Sequence, residues 1–395
     1  MLNTTSLSAD SKLEDLQNFL NEKFDFRYNV LSEMPEYKLK NESKYRMTDK
    51  RVMNTLCIEA IKQGVECKDI DIKRILFSET IPSFHPFKEF MANLPEWDGT
   101  DRVTMLAARV SGNGMWLNAF HLWMLGMVAQ WLGYPSRCAN AIAPLLVSTE
   151  QGMCKSTFCS IILPEELRMY YTDKFDITST SGCEQKLSTF GLINMDEFDR
   201  YTEKMMATLK NLMQMKQVNY RKCFRAYYSN LPRIASFIGT SNEKSLLTDV
   251  TGSRRFLCME VTTPIDCSPL DYPQIYAQLK LELEWGKRYW LSKEEEREIQ
   301  EHNKAFYKHS PEEEAFFKVY ALPLENEPCT KLTATDIFNT LHKRFPAVFR
   351  GVNPKSFGKV MTRIGAKKEH TRYGSVYVVK RLNASSPMLQ NLMSA

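Results

Sequence analysis

The spacing of apolar residues along the chain separates helical from extended segments. Apolar residues recur every three or four positions in KLEDLQNFLNEKF, VMNTLCIEAIKQ and MWLNAFHLWMLGMVAQWLGYP, which predicts helices with a buried face. Three shorter runs, AIAPLLV, GLINM and ASFIG, are largely apolar and are followed directly by polar residues, which is typical of buried parallel strands. The pattern therefore predicts an α/β fold around a parallel sheet.

The residues after the first predicted strand have the chemistry of a phosphate-binding loop. The next predicted helix opens with Lys155, Ser156 and Thr157. Loop amides, the helix start and the Lys155 ammonium group can hold a triphosphate, and the Ser156 hydroxyl can ligate magnesium. The complete phosphate-loop pattern has glycine at the positions of Thr149 and Cys154. In this chain, Gly152 is the only glycine of the loop. Taken by itself, the stretch is equally compatible with an ordinary strand, turn and helix.

Carboxylates and an amide follow the other two predicted strands. Asp196 and Glu197 come directly after GLINM, and Asn242 follows ASFIG. Two adjacent carboxylates at the end of a buried strand are costly unless a metal ion, a basic side chain or water meets them. Beside a phosphate-binding loop, these side chains suit ATP hydrolysis: Asp196 would hold magnesium and Glu197 would polarise an attacking water. Asn242 would reach the γ-phosphate. The alternatives are a turn with two solvated acids and an amide that caps the following turn.

Composition narrows the class of protein. The 395 residues suffice for two or three domains, and the formal net charge of +5 is too small by itself to indicate a nucleic-acid partner. Ten cysteines occur without a Cys-x-x-Cys pair or histidines at metal-ligand spacing, which argues against a zinc site and a secreted disulfide framework. The N-terminus has no export pattern, and polar residues interrupt the most apolar stretch. We expect a cytoplasmic protein with free thiols and no membrane partner.

Basic residues are concentrated in two segments. Between Lys210 and Arg233 there are six basic residues and no acidic one, interleaved with aromatic residues that can stack on bases. The candidates there for DNA contact are Lys210, Arg221, Lys222 and Arg225. Nucleotide contact across a subunit boundary and a solvated hairpin are the alternatives. Between Arg350 and Arg381 there are nine basic residues and one acidic residue. The candidates for DNA contact in this second segment are Lys355, Lys359, Arg363, Lys367, Lys368 and Arg372.

The order of elements around the second basic segment is that of a winged helix. Two predicted helices, LTATDIFNTLHKRFP and NPKSFGKVMTRIGA, precede a predicted hairpin with Tyr373 and Gly374 at its turn. In such a domain the second helix enters a groove of DNA while the hairpin contacts phosphates. A winged helix used only for protein contact is the alternative.

Seven stretches between His85 and Val261 together resemble the virulence-associated protein E family of phage, plasmid and genomic-island proteins. They are PEWDGTDR, EQGMCKSTF, YYTDKFDITS, LINMDEFDR, LKNLMQMKQVNYRKCFRAYY, LPRIASFIGTSN and DVTGSRRF. Members of that family are ATPases akin to superfamily 3 helicases within the AAA+ group. The resemblance implies ATP and Mg²⁺ as cofactors, with the nucleotide chemistry carried by Lys155, Ser156, Asp196, Glu197 and Asn242. It also implies that Arg254 or Arg255 serves as an arginine finger or sensor for a neighbouring subunit.

The resemblance sets the expected architecture. A P-loop AAA+ type core with a parallel sheet would occupy residues 86–262, after a helical N-terminal region at 1–85 and before a helical segment at 263–320. A winged-helix-like basic domain at 330–382 and a disordered tail at 383–395 would complete the chain. The expected assembly is a homo-oligomeric ring, taken as a hexamer, on single-stranded or forked DNA. Because the N-terminal region lacks the acidic and histidine constellation of a primase, a separate primase or replication protein would make primers.

The residues at two glycine positions of the phosphate loop bear on whether the chain hydrolyses ATP. Family members usually have glycine at the positions of Thr149 and Cys154, and a side chain forced into the left-handed backbone region costs about 1–3 kcal/mol. The function expected is that of a superfamily 3-like replicative helicase. The alternatives are a DNA-binding replication initiator or regulator with a weak or relic ATPase site, and a nucleotide-switched defence protein that unwinds nothing.

Overall fold

The computed structural model describes residues 9–134, 138–178, 180–220, 229–248, 253–323, 327–372 and 374–382. The chain divides into two units, the first comprising residues 1–242 and 255–298 and the second residues 243–254 and 299–395. The tail expected at 383–395 lies outside the described residues. Within the described ranges, no helix has both the length and the apolar character needed to cross a bilayer.

The N-terminal part combines three helices with a small sheet. Its elements are α1 (Ala9–Lys23), β1 (Phe24–Asn29), β2 (Met34–Leu39), β3 (Arg46–Met47), α2 (Lys50–Lys62), α3 (Asp69–Leu76) and β4 (Ser83–Phe84). The strand order is β3-β2-β1-β4. The side chain of Asp49 caps α2 by accepting from the Val52 amide at 2.8 Å. The helical region expected at 1–85 therefore also contains a four-stranded sheet.

Three helices lead into the central sheet: α4 (Pro86–Ala92), α5 (Arg102–Ala108) and α6 (Gly114–Leu132). Helix α6 is buried over most of its length, as expected of a helix whose apolar residues surround it. His121 lies on this helix, and its Nε2 is 2.5 Å from Glu282 Oε2. This buried contact gives His121 a structural role.

The central sheet belongs to the first unit. The elements of this region are β5 (Ala143–Val147), α7 (Lys155–Ile161), β6 (Tyr171–Thr172), α8 (Thr180–Thr189), β7 (Leu192–Met195), α9 (Glu203–Gln214), β8 (Gln217–Tyr220), β9 (Ser229–Pro232), β10 (Ser236–Ser241) and β11 (Phe256–Glu260). Five of the strands form a sheet in the order β11-β5-β10-β7-β6, and every neighbouring pair is parallel. The predicted parallel sheet is confirmed.

Strand β10 lies between β5 and β7, and this position brings three chain segments to one edge. Ser241 is opposite Val147, and Gly239 is opposite Met195. A β-carbon at Gly239 would be 2.6 Å from Leu145 Cδ2 and 3.0 Å from the Met195 carbonyl oxygen, so any larger residue there would require its neighbours to shift. Because parallel strands end at the same edge of a sheet, the residues that follow β5, β7 and β10 are neighbours.

Strands β8 and β9 form an antiparallel hairpin that leads directly into β10. Arg233, which lies between β9 and β10, is 2% exposed. Its guanidinium donates to the carbonyls of Ala235 at 2.8 Å, Met213 at 2.5 Å and Asn140 at 2.9 Å. Burial lowers the pKa of Arg233 to about 9. This side chain therefore ties the base of the hairpin to the end of α9 and to the approach to β5.

Two more helices follow the sheet, and the second unit continues the chain. They are α10 (Tyr272–Glu284) and α11 (Lys293–His302). The later elements are α12 (Pro311–Phe317), β12 (Tyr320–Ala321), β13 (Thr330–Thr333), α13 (Ala334–Arg344), α14 (Pro354–Arg363), β14 (Lys368–Thr371) and β15 (Gly374–Arg381). The helical segment expected at 263–320 is thus divided, because α10 belongs to the first unit and α12 to the second.

The second unit has its own hydrophobic core. Phe316, Ile337, Phe357 and Val379 are among its buried residues. Strands β12 and β13 flank β15, and β14 pairs with β15 as a hairpin in which Thr371 is opposite Gly374. The predicted order of two helices and a hairpin is therefore observed, whereas Tyr373 lies outside the described residues.

Candidate functional site

The loop after β5 contains two residues in the left-handed backbone region. Gly152 has φ 77°, and Cys154 has φ 57° and ψ 22°. Cys154 is exposed and directly precedes α7. A β-carbon added at Gly152 would have no heavy atom within 4 Å, so the loop borders open space. Cysteine therefore occupies a conformation that glycine adopts at much lower cost.

Lys155 joins the loop to the end of β10. The side chain is 8% exposed, and its Nζ donates to Ser148 O at 2.9 Å and to Asn242 Oδ1 at 3.1 Å. Burial lowers the pKa of Lys155, and the negative charges of Asp196 and Asp199 oppose that shift. Two predicted site residues, Lys155 and Asn242, are thus in direct contact although 87 positions separate them.

Ser156 and Asp196 meet at the same edge of the sheet. Ser156 Oγ donates to Asp196 Oδ1 at 3.2 Å, and the Thr240 hydroxyl donates to the same oxygen. A carboxylate and hydroxyls are the hard oxygen ligands that Mg²⁺ prefers, and Mg²⁺ keeps several of its positions for water and phosphate. Within the described part of the chain, no three His, Cys, Asp or Glu side chains form a metal-binding group. Ser156 and Asp196 could therefore hold Mg²⁺ together with water and phosphate oxygens.

Asp199 is a site residue that the sequence reasoning missed. Ser241 Oγ donates to its Oδ1 at 3.0 Å, and the Asn242 amide donates to the same oxygen at 3.3 Å. Together with Asp196, it acts electrostatically on Lys155. The available signal was the last acidic residue of DEFD, which follows the predicted carboxylate pair by two positions.

Glu197 has a different environment from Asp196. Its φ is 51°, in the left-handed region, and its Oε2 is 2.6 Å from the guanidinium of Arg200. The next residue, Phe198, is buried, stacks on Tyr201 and packs against Phe256. This packing holds the turn in a conformation that costs a non-glycine residue about 1–3 kcal/mol.

Arg254 and Arg255 precede β11 in a short 3-10 helix, Ser253–Arg255. Phe256, the first residue of β11, is opposite Ala143, the first residue of β5. Arg255 therefore lies at the amino end of the sheet, whereas the loop after β5 lies at the carboxyl end. The strand from Phe256 to Glu260 spans about 13 Å, which separates Arg255 from the loop of its own chain. Arg254 is exposed and belongs to the second unit.

The predicted DNA contacts of the first unit are described only in part. Lys210 is half-buried on α9, whereas Arg221, Lys222 and Arg225 lie outside the described residues. Those three fall between β8 and β9, whose pairing places Tyr220 opposite Ser229.

Arg363 differs from the other basic candidates of the second unit. It forms an ion pair with Glu313, which is fully buried, and donates to Ser310 Oγ at 3.0 Å. Arg363 therefore neutralises a buried carboxylate, a structural task that the sequence did not indicate. The remaining candidates are exposed: Lys355, Lys359, Lys367, Lys368 and Arg372.

The chain is similar to three solved structures of the NrS-1 C-terminal region. For an apo structure of region 305–718, the identity is 13%, the coverage 93% of this chain and 98% of that chain, and the TM-score 0.44. One A-form apo structure is 14% identical, with coverage of 75% of this chain and 67% of that chain and a TM-score of 0.40. A second A-form apo structure is 11% identical, with coverage of 94% of this chain and 99% of that chain and a TM-score of 0.41. Likeness at this level supports no inference about function. No curated protein matches the chain.

Two family models match the chain. A domain of unknown function, DUF3874, matches residues 309–379. The virulence-associated protein E-like domain matches residues 91–308, which include β5 to β11 and the loop with Lys155. Because this match covers more than half of the chain, the protein belongs to the virulence-associated protein E-like family.

Proposed function

We propose that the chain is an ATP-hydrolysing DNA motor of a phage, plasmid or genomic island, of the superfamily 3-like replicative type and without a primase domain. The observation that carries the proposal is the contact between Lys155 and Asn242 beside the Ser156–Asp196 pair. A lysine, a hydroxyl, a carboxylate and an amide from three chain segments converge at the carboxyl edge of a parallel sheet. This is where ligands bind in open α/β sheets.

The residues present fit a nucleoside triphosphate with Mg²⁺. Lys155 Nζ is directed to two oxygen atoms, Ser148 O and Asn242 Oδ1, so its donors are already oriented towards acceptors at this edge. The open space beside Gly152 leaves room for phosphate at the loop. The loop residues that would contact nucleotide are Gly152, Cys154, Lys155, Ser156 and Thr157.

Each side chain would have one task in hydrolysis. ATP with Mg²⁺ would supply a γ-phosphate that is open to in-line attack by water. Lys155 would neutralise phosphate charge, and Ser156 and Asp196 would hold the metal. Glu197 would orient the water once its carboxylate leaves Arg200, and Asn242 would detect the γ-phosphate. Asp199 would position Asn242, because it accepts from the backbone amide of that residue.

The position of Arg255 supports assembly into a ring. Because Arg255 lies at the sheet edge away from the loop of its own chain, it could reach a triphosphate only in a neighbouring copy. Such a contact joins two different faces of the chain, and repeated contacts of this kind form a ring where the rotation between copies closes. Arg254 or Arg255 would then serve as the finger of the next active site.

The second unit would bind DNA. Helices α13 and α14 followed by the β14–β15 hairpin support a winged-helix-like domain, and the exposed lysines of α14 and β14 would contact phosphates. Primers would come from a separate primase or replication protein.

ATP turnover by the purified full chain, with and without single-stranded DNA, tests the proposal. Lys155→Ala and Glu197→Gln should each abolish DNA-stimulated hydrolysis. The matched controls Lys62→Ala and Glu298→Gln change exposed residues and should leave it intact. Wild-type turnover in either site variant would refute the assignment of the site. Strand displacement on forked DNA then distinguishes a helicase from an ATPase that unwinds nothing.

One observation favours a second candidate, a DNA-binding initiator or regulator with a weak or relic ATPase site. Cys154 has φ 57° at a position that requires glycine-like freedom, which would weaken closure of the loop on phosphate. Titration of ATP and Mg²⁺ into the full chain separates the candidates. A relic would show neither saturable binding nor a change of oligomeric state.

A further inference from the structure

The second unit contains a cavity of about 980 Å³ that is lined by cationic and aromatic side chains. The cationic residues of its lining are Lys304, Lys355, Lys359, Arg363 and Lys368. No aspartate or glutamate is among the described lining residues. A concave site with this charge selects an anionic ligand.

The lysines of the cavity come from separate elements. Lys355 and Lys359 are one helical turn apart on α14 and are exposed, so both present ammonium groups on the same face. Lys368 begins β14 and lies opposite Tyr377 of β15, and Lys304 is contributed by the segment before α12. Charges spread over three elements suit a ligand with several phosphates better than a single anion.

Three rings form a continuous aromatic wall of the cavity. Tyr307 and His309 are 5.1 Å apart between ring centroids, and His309 and Phe317 are 5.3 Å apart, each pair meeting edge to face. All three residues line the cavity. Sites that bind single-stranded nucleic acids combine flat rings with cationic groups. The unpaired bases stack on the rings, and the cationic groups neutralise the phosphates.

The buried Glu313 behind this wall does not cancel the positive charge. Arg363 pairs with it, the Tyr307 hydroxyl donates to it at 3.1 Å, and His309 Nδ1 lies 3.3 Å from it. The negative charge of Glu313 is thus neutralised by Arg363. The contacts with Glu313 also hold the rings of Tyr307 and His309 in place. Lys304 pairs with Glu301 at 2.6 Å, so the positive charge available to a ligand is that of the exposed Lys355, Lys359 and Lys368.

We propose that this cavity binds a segment of single-stranded DNA, with phosphates on Lys355, Lys359 and Lys368 and a base on the ring of Tyr307. The proposal rests on the proposed function only in choosing DNA as the nucleic acid. Duplex DNA does not fit as well, because its bases are already stacked and cannot reach the aromatic wall.

Fluorescence anisotropy of a labelled oligo(dT) with the full chain, without ATP, tests the proposal. A single-stranded phosphate contact contributes a salt slope of about −0.7, so at 0.1 M salt it is worth about a fivefold change in affinity. The double variant Lys355→Gln with Lys359→Gln should weaken binding about 25-fold and lower the salt slope by about 1.4. The matched double variant Lys318→Gln with Lys343→Gln changes exposed lysines outside the lining and should bind as the wild type does.

Two substitutions of Tyr307 separate stacking from folding. Both remove the hydroxyl contact with Glu313, but only Tyr307→Leu removes the ring. Tyr307→Phe should keep the affinity, and Tyr307→Leu should lose about fivefold or more. Equal losses in the two variants, or equal affinity for duplex and single-stranded DNA, would overturn the proposal. Effective competition by polyglutamate would do the same.

The outcome is distinguishable from failure of the proposed ATPase. Lys155→Ala should lose turnover while keeping the oligonucleotide affinity measured without ATP. An unchanged affinity in the Lys355 and Lys359 double variant would reject the cavity and leave the ATPase standing. Turnover by Lys155→Ala would reject the ATPase site and leave the cavity standing.

Discussion

Replacing Cys154 by glycine should stabilise the first unit, because this cysteine holds a backbone conformation that its β-carbon disfavours. Its φ is 57° and ψ is 22°. The left-handed region costs a residue with a β-carbon roughly 1–2 kcal/mol, whereas glycine loses roughly 0.5–1 kcal/mol more conformational entropy on folding. The net gain in the free energy of unfolding is therefore about 0.75 kcal/mol. For a unit of this size, that gain raises the unfolding midpoint by about 2 °C.

Two controls isolate the backbone effect in calorimetry of the full chain. Cys154→Ala removes the thiol, which contacts Gly152 O at 3.6 Å, but keeps the β-carbon and should give no gain. Cys329→Gly introduces glycine at another exposed cysteine that is outside the left-handed region and should lower stability slightly. A midpoint for Cys154→Gly no higher than that for Cys154→Ala would refute the reasoning.

The same variant bears on nucleotide binding. Glycine lets backbone amides approach a phosphate more closely than cysteine does. We expect Cys154→Gly to bind ATP more tightly than the wild type in titrations with Mg²⁺. Weaker binding by the glycine variant would show that the cysteine itself contributes to the loop.

Three further substitutions test the fold around the site. Gly239→Ala should cost about 1–3 kcal/mol in urea unfolding, because its β-carbon would meet Leu145. Arg233→Met should cost at least about 2 kcal/mol by the same measurement, since it leaves several buried carbonyls without a donor. Burial lowers the pKa of His85 to about 4, so its neutral form contributes stability above the unfolded pKa of about 6.5, and this is lost as the pH falls towards 4. His85→Gln should flatten that part of a pH profile of the unfolding midpoint.

Each of these substitutions has a matched control. Gly112→Ala adds a β-carbon with nothing within 4 Å and should change stability by less than about 0.5 kcal/mol. Arg297→Met replaces an exposed arginine, and His370→Gln removes an exposed histidine. If a control changed stability as much as its partner, the burial and contacts described for that partner would not explain its effect.

Local chemistry made much of the site predictable from the sequence. Apolar runs followed by polar residues identified β5, β7 and β10, and the positions after them contain Lys155, Asp196 and Asn242. The loop with Gly152 was visible for the same reason, since turns depend on residues close in the chain.

Long-range arrangement was not predictable in this way. The place of β10 between β5 and β7 depends on crossovers over the sheet, and it is what brings Asn242 to Lys155. The pairing of Arg363 with Glu313 joins residues 50 positions apart, so the charge pattern alone suggested only a contact with DNA. Strands β3 and β4 have two residues each, too few for any alternation to appear.

The buried hydrogen bonds of Arg233 anchor the base of the β8–β9 hairpin. The chain runs from this hairpin through Arg233 into β10 and on to Asn242, a distance of about 30 Å when extended. Because the guanidinium is held by carbonyls from three segments, a load on the hairpin would act on these hydrogen bonds before it displaced β10. The contact of Asn242 with Lys155 would then depend on these hydrogen bonds as well as on the pairing of β10 with β5 and β7.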